Sequence, residues 1–219
     1  FDSSGLVVEQ IETRSPDGTV IPYFVVRHKN TALDGSTPTL LYAYGGFQVS
    51  MRPRYSGSLG KLWLENGGAY VLANIRGGGE FGPAWHQAGL KTQRQRIYDD
   101  LIAVAEDLSA KGLTSAEHLA VYGGSNGGLL TGVMYTQRPD LWQAVVSAVP
   151  LLDMLRYHKL LAGASWMGEY GDPDDPIEGA FLRGISPYHN VSATQEYPEI
   201  FLYTSTKDDR VHPGHARKM

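Results

Sequence analysis

Residues 123–128 read Gly-Gly-Ser-Asn-Gly-Gly and contain the pattern G-x-S-x-G, placed between the apolar run 118–122 and a segment with helical patterning. Strand, sharp turn and helix form the setting in which this pattern has chemical meaning, because the turn lifts a serine hydroxyl clear of a sheet edge. Glycines on both sides of Ser125 remove Cβ atoms that would strike the flanking strand and helix. The helix opening after Ser125 would aim free N–H groups and its positive end at the point of attack, so the Asn126 N–H is the expected donor to an oxyanion. The competing reading is a glycine-rich turn with an incidental serine; the agreement of strand, turn and helix favours a nucleophile.

A serine hydroxyl is a weak nucleophile until a base takes its proton, so the motif calls for a histidine oriented by an acid, in the chain order Ser, acid, His. The apolar run 200–204 is followed by Lys207-Asp208-Asp209-Arg210, which sets a carboxylate at the carboxyl edge of a strand, the side on which Ser125 would emerge. Asp208 is the first choice and Asp209 the alternate, against the reading of a solvated turn acid. Of the seven histidines only His212 and His215 follow Asp208. Both stand within a turn of it, at the start of a further helix, and read as structural or surface groups. His86, His118, His158 and His189 precede the acid and read as helix-face or loop residues. A closing base is expected about 20 or more residues past the acid, after another helix and strand. It is therefore expected beyond Met219, and the chain alone is expected to be inactive. No histidine pair has zinc spacing, so neither a metal nor another cofactor is expected.

The elements that must position these groups follow from periodicity. Residues 7–12 and 20–26 alternate around Ser15-Pro16-Asp17-Gly18 and predict a hairpin. The runs 39–44, 69–75, 118–122, 144–149 and 200–204 are continuously apolar, the habit of parallel strands buried on both faces. Helices are predicted over 97–108, with Ile97, Leu101, Ala105 and Leu108 on one face, and over 127–137, stopped by Arg138-Pro139-Asp140. The segment 171–176 is a polar loop inside the domain. The reading is one α/β domain over 1–219 with a doubly wound, mostly parallel sheet and an antiparallel N-terminal hairpin. One decoy lies at 77–82, where Gly-Gly-Gly-Glu-Phe-Gly satisfies the outline of a dinucleotide-binding turn. It is set aside because no helix is expected to open directly after it, and because Asp99 and Asp100 fall in a helix and not at a strand end.

The net charge of −4 argues against nucleic acid or an anionic membrane as partner. The absence of cysteine excludes disulfides and thiol chemistry and is compatible with a cytoplasmic or a periplasmic address. No apolar run is long enough for a membrane helix, and the opening Phe1-Asp2-Ser3-Ser4-Gly5 has neither the basic start nor the apolar core of a signal peptide. Without an initiator Met, that opening suggests a fragment or a processed product.

Several longer stretches resemble the prolyl oligopeptidase family of serine peptidases. They include Tyr44-Gly45-Gly46-Phe47, residues 74–82, residues 123–130, Gly163 to Gly171, residues 186–191 and Asp208-Asp209-Arg210-Val211. The resemblance implies an α/β-hydrolase fold cut before its last helix and strand, without the family's β-propeller or C-terminal histidine segment. It implies an endopeptidase that cleaves short peptides after proline through an acyl-enzyme. By the same likeness Ser125 attacks, Asp208 orients the histidine, and the Tyr44 phenol joins the Asn126 N–H in the oxyanion hole. Trp166 would stack on the substrate proline, Phe47 and Tyr170 would complete an apolar pocket, and Arg210 would hold a peptide carbonyl. Two alternatives stay open: an esterase or acylaminoacyl-type peptidase of the same fold, and a fragment that does no catalysis.

Overall fold

A computed structural model describes every residue from Phe1 to Met219. Seven strands form one sheet: β1 (Leu6–Arg14), β2 (Val20–His28), β3 (Thr39–Tyr42), β4 (Ala69–Ala73), β5 (Leu119–Gly124), β6 (Ala144–Ala148) and β7 (Glu199–Tyr203). The spatial order is β1-β2-β4-β3-β5-β6-β7; β2 runs antiparallel to β1 and β4, and all other pairs are parallel. The helices are α1 (Gly57–Leu62), α2 (Pro83–Gln87), α3 (Gln95–Ala110), α4 (Asn126–Gln137), α5 (Met167–Tyr170), α6 (Pro176–Gly184), α7 (Pro187–Asn190) and α8 (Gly214–Lys218). The predicted hairpin forms because Gly18 takes the φ of 85° that its turn requires. Asp17 holds the Thr19 N–H at 3.1 Å in the same turn.

The long helix α3 buries Ile97, Leu101, Ala105 and Leu108, the face read from the sequence. Burying a leucine or isoleucine side chain stabilises by roughly 1.5–3 kcal/mol, and α3 and α4 together cover one face of the sheet over the main core. The opposite face departs from expectation. The strands were expected to be buried on both sides, yet β7 has Phe201 63% and Tyr203 41% exposed. On that side Tyr42, Tyr70, Tyr122 and Leu72 wall an open groove of about 690 Å³, bounded by Leu59 of α1. Continuous apolar runs therefore reflect two apolar faces, only one of which is fully covered. Strands also end early: β3 stops at Tyr42 and β4 at Ala73, which releases Tyr44 and Arg76 into loops at the carboxyl edge.

The glycine-rich stretch 77–82 does lead into a helix, contrary to expectation, since α2 opens at Pro83 with Gly82 at a φ of 84°. Proline suits the first turn, where its missing N–H has no partner to lose. Asp100 is committed elsewhere. Arg76, with a side chain 4% exposed, donates to both carboxylate oxygens of the fully buried Asp100 and also reaches Asp17 and Ser15. This network ties the hairpin turn to α3 and to the end of β4. Arg76→Met is expected to destabilise the fold by about 3–5 kcal/mol, because it leaves a buried carboxylate without its partner. Burial already pushes the Asp100 carboxyl up. In the variant the folded state would hold a proton that the unfolded chain releases, so stability falls as pH climbs through that window. Urea unfolding at pH 4 and pH 7 should show the larger deficit at pH 7; an equal or smaller deficit there would contradict this account.

Candidate active site

Ser125 joins β5 to α4 with φ 59° and ψ −115°, a conformation that costs of order 1–3 kcal/mol outside glycine. Its N–H is held by the Ala148 carbonyl at 2.9 Å, and its own carbonyl accepts from Gly128 and Leu129. Two of the surrounding glycines are required. A Cβ on Gly123 would lie 2.2 Å from the Gly127 carbonyl oxygen, and one on Gly128 would lie 2.7 Å from Pro150. As the first residue of α4, Asn126 has no intrahelical acceptor for its N–H, and the helix dipole adds positive potential there.

Across the edge, Tyr44 sits in the loop after β3. Burial pushes its phenol above the ordinary value, against the pull of a hydrogen bond with the Ser125 side chain and of the Arg210 charge. The phenol therefore stays protonated as a donor. Gly124 pairs with Ala148, which pairs with Tyr203, so the elbow after β5 and the loop after β7 leave the same edge, one strand apart. In that second loop Asp208 Oδ1 accepts from the amides of Arg210 at 3.0 Å and Val211 at 2.9 Å. Asp208 is half-buried and Asp209 exposed, which favours Asp208 as the orienting acid.

The aromatic residues converge less evenly. Trp166 is half-buried at the start of α5, the short helix that ends in Tyr170. Phe47 meets Tyr170 edge to face with ring centroids 5.5 Å apart. Tyr170 itself is 1% exposed and donates its hydroxyl to Asn126 Oδ1 at 3.0 Å. It supports Phe47 from behind and offers a substrate almost no surface of its own. Arg210 is exposed on the rim.

Every histidine is engaged away from Ser125. His28, His118 and His158 bond within their own loops or to Asp174, His86 pairs with Glu169, His189 with Ser186, and His212 accepts from the Gly214 amide. Burial pushes His215 down to about 4, and its neutral Nδ1 accepts the Leu152 and Asp153 amides at 3.2 and 3.0 Å. This pins α8 behind the acid loop, in line with the structural role expected of it. The ligand atoms of His158, Asp172 and Asp174 lie within 4.8 Å of one another, with Asp174 also paired to Lys159.

Sequence reasoning missed the layer behind the site. Arg94 and Glu169, 1% and 6% exposed, form a buried ion pair at 3.1 Å, and both side chains contact the Tyr44 loop or the elbow. The available signal was a single charge at Glu169, set among Trp166, Met167 and Tyr170.

A mixed sheet in this order, with a strained serine between a central parallel strand and its helix and an acid after the next strand but one, defines an α/β-hydrolase. The prolyl oligopeptidase family profile matches residues 54–219. An uncharacterised peptidase of Sinorhizobium fredii is 67% identical over 219 residues. The prolyl endopeptidase of Elizabethkingia meningoseptica is 46% identical over the whole chain, which covers 31% of that protein. A solved structure of a post-proline cleaving enzyme from Rickettsia typhi superposes with a TM-score of 0.98 at 50% identity, covering 99% of this chain and 31% of that one. The chain belongs to the prolyl oligopeptidase family. It spans about 30% of the length of the curated relatives it matches.

Proposed function

We propose that this chain carries the nucleophile, orienting acid and oxyanion hole of a serine endopeptidase that cleaves short peptides on the carboxyl side of proline. The observation that carries the reading is the Ser125 elbow, with the Tyr44 phenol on one side and the unpaired start of α4 on the other. In this mechanism Ser125 Oγ attacks the peptide carbonyl and gives its proton to a histidine from outside these 219 residues, oriented by Asp208. The carbonyl oxygen takes the developing negative charge and receives hydrogen bonds from Tyr44 and the Asn126 N–H. The intermediate collapses as the histidine returns the proton to the leaving amine, leaving an acyl-enzyme that water then hydrolyses. A β-propeller elsewhere in the parent protein would restrict entry to short peptides, and the compartment would be cytoplasmic or periplasmic.

Trp166 and Phe47, both half-buried, favour a proline ring as the group bound, since flat aromatic walls suit a rigid apolar ring. Trp166→Ala in the full-length enzyme is expected to lower kcat/KM for a chromogenic Gly-Pro amide by about 10–100-fold, as loss of about 1–3 kcal/mol of pocket contact would. Cleavage of a simple acyl ester should change far less. An enzyme that prefers non-proline esters, and whose preference survives the substitution, would instead be an esterase or acylaminoacyl-type peptidase.

A further inference from the structure

The ion pair behind the site has an unusual distribution of partners. Arg94 donates through one terminal nitrogen to Glu169, and through the other to Asn126 Oδ1 and to the Gly45 carbonyl. Its guanidinium lies 4.6 Å from the centre of the Tyr170 ring. Glu169 Oε1 also accepts the Phe47 N–H at 3.0 Å, and its Oε2 meets His86 at 2.7 Å. Asn126 in turn donates its side-chain amide to the Tyr44 carbonyl at 2.6 Å.

With the exception of His86, each of these partners belongs to the elbow, to the Tyr44 loop or to the aromatic support. Phe47 stands at a φ of 54°, a strained state for a bulky residue, and the carboxylate holds it there through its N–H. A Cβ on Gly46 would lie 2.4 Å from the Asn126 amide nitrogen, so this loop and the elbow are in direct contact. Desolvating two charges is expensive, and apolar groups often serve stability as well; a pair that spends its hydrogen bonds on the site does something besides holding the fold.

We propose that Arg94 and Glu169 are positioning residues for the oxyanion hole, fixing the Asn126 side chain and the Tyr44–Phe47 loop so that the Tyr44 phenol and the Asn126 N–H converge on one point. The proposal rests on the reading of Ser125 as nucleophile. The charges of Arg94 and Glu169 pull the Tyr44 phenol in opposite directions, so the pair acts through geometry and not through net field. Displacement of a catalytic group by about 1 Å costs on the order of 10²-fold in rate, and a donor carried on a loop with no clamp behind it would move that far readily.

The test uses the full-length enzyme, with a Gly-Pro amide as substrate and two inhibitors: a peptide aldehyde ending in proline, whose hemiacetal oxygen occupies the oxyanion hole, and the matching alcohol, which forms no such oxygen. Arg94→Met is expected to lower kcat by about 10–100-fold with KM within about threefold, the pattern of an interaction realised in the transition state. Aldehyde affinity should fall in step with kcat while alcohol affinity stays near wild type. Arg94→Lys, which keeps the charge but not the fork, should recover part of the loss. Where Arg94→Met fails to fold, the near-isosteric Glu169→Gln carries the same comparison, with an expected kcat loss of about tenfold. Unchanged kcat in a folded variant, or equal loss of aldehyde and alcohol affinity, would overturn the positioning role while leaving Ser125 as nucleophile. A wild-type enzyme that cleaves no prolyl amide would overturn the functional reading and this proposal together.

Discussion

Replacing Ser125 by alanine in the full-length enzyme is expected to lower kcat for prolyl peptide hydrolysis by about 10⁶-fold, the size of effect seen when a triad nucleophile is removed. Binding of the proline-ending alcohol should be retained, because the substitution removes only the hydroxyl and leaves Trp166 and Phe47 unchanged. The expectation comes from backbone geometry. The elbow keeps Ser125 at φ 59° and ψ −115° with its amide tied to Ala148, and alanine fits the same backbone without adding an atom. Steady-state kinetics with a stability control checks it, and residual activity above about one part in a thousand of wild type would point to another nucleophile.

The second large effect is expected at Asp208. Asp208→Asn should lower kcat by about 10⁴-fold, because an amide both fixes the wrong tautomer of its histidine and withholds the charge that stabilises the imidazolium. Asp208 Oδ1 is occupied by the Arg210 and Val211 amides, which leaves Oδ2 for the base. Asp209 is exposed on the same loop, so Asp209→Asn should change kcat by less than about threefold, as surface substitutions do. Equal losses at the two positions, or a greater loss at Asp209, would reverse the assignment.

How much of this was legible in the sequence depended on distance along the chain. The elbow was legible because all its parts lie within residues 118–137, and glycine, serine and glycine have local steric reasons to be there. The helix α3 was legible because its sixteen residues carry several turns of apolar period. Short helices such as α5 and α7, each of four residues, are too brief for any period to register and are set by the loops they join. Periodicity also showed that the central strands are apolar on both sides, but coverage of a face depends on what packs there, and Phe201 and Tyr203 stay open.

The site followed the same rule. Ser125, Asn126 and Asp208 came from local context, whereas the roles of Tyr44, Trp166 and Arg210 needed a whole set of motifs in order. The Arg94–Glu169 pair was invisible because its partners are 75 residues apart in sequence, and Glu169 is 122 residues from the Phe47 amide it holds. A buried charge reads from sequence as a surface charge until the fold closes around it. The Tyr170 hydroxyl on Asn126 belongs to the same class of information, as it turns an expected pocket wall into a support for the elbow.

The central claim is that the hydroxyl of residue 125 becomes covalently modified, assisted by donors on both sides. Treating the full-length enzyme with a fluorophosphonate and mapping the adduct by peptide mass spectrometry tests it most directly. One adduct is predicted, on the peptide containing Ser125, forming at a rate that falls with Asp208→Asn. A fast adduct on any other residue, or none on an enzyme that still hydrolyses prolyl peptides, would contradict the account.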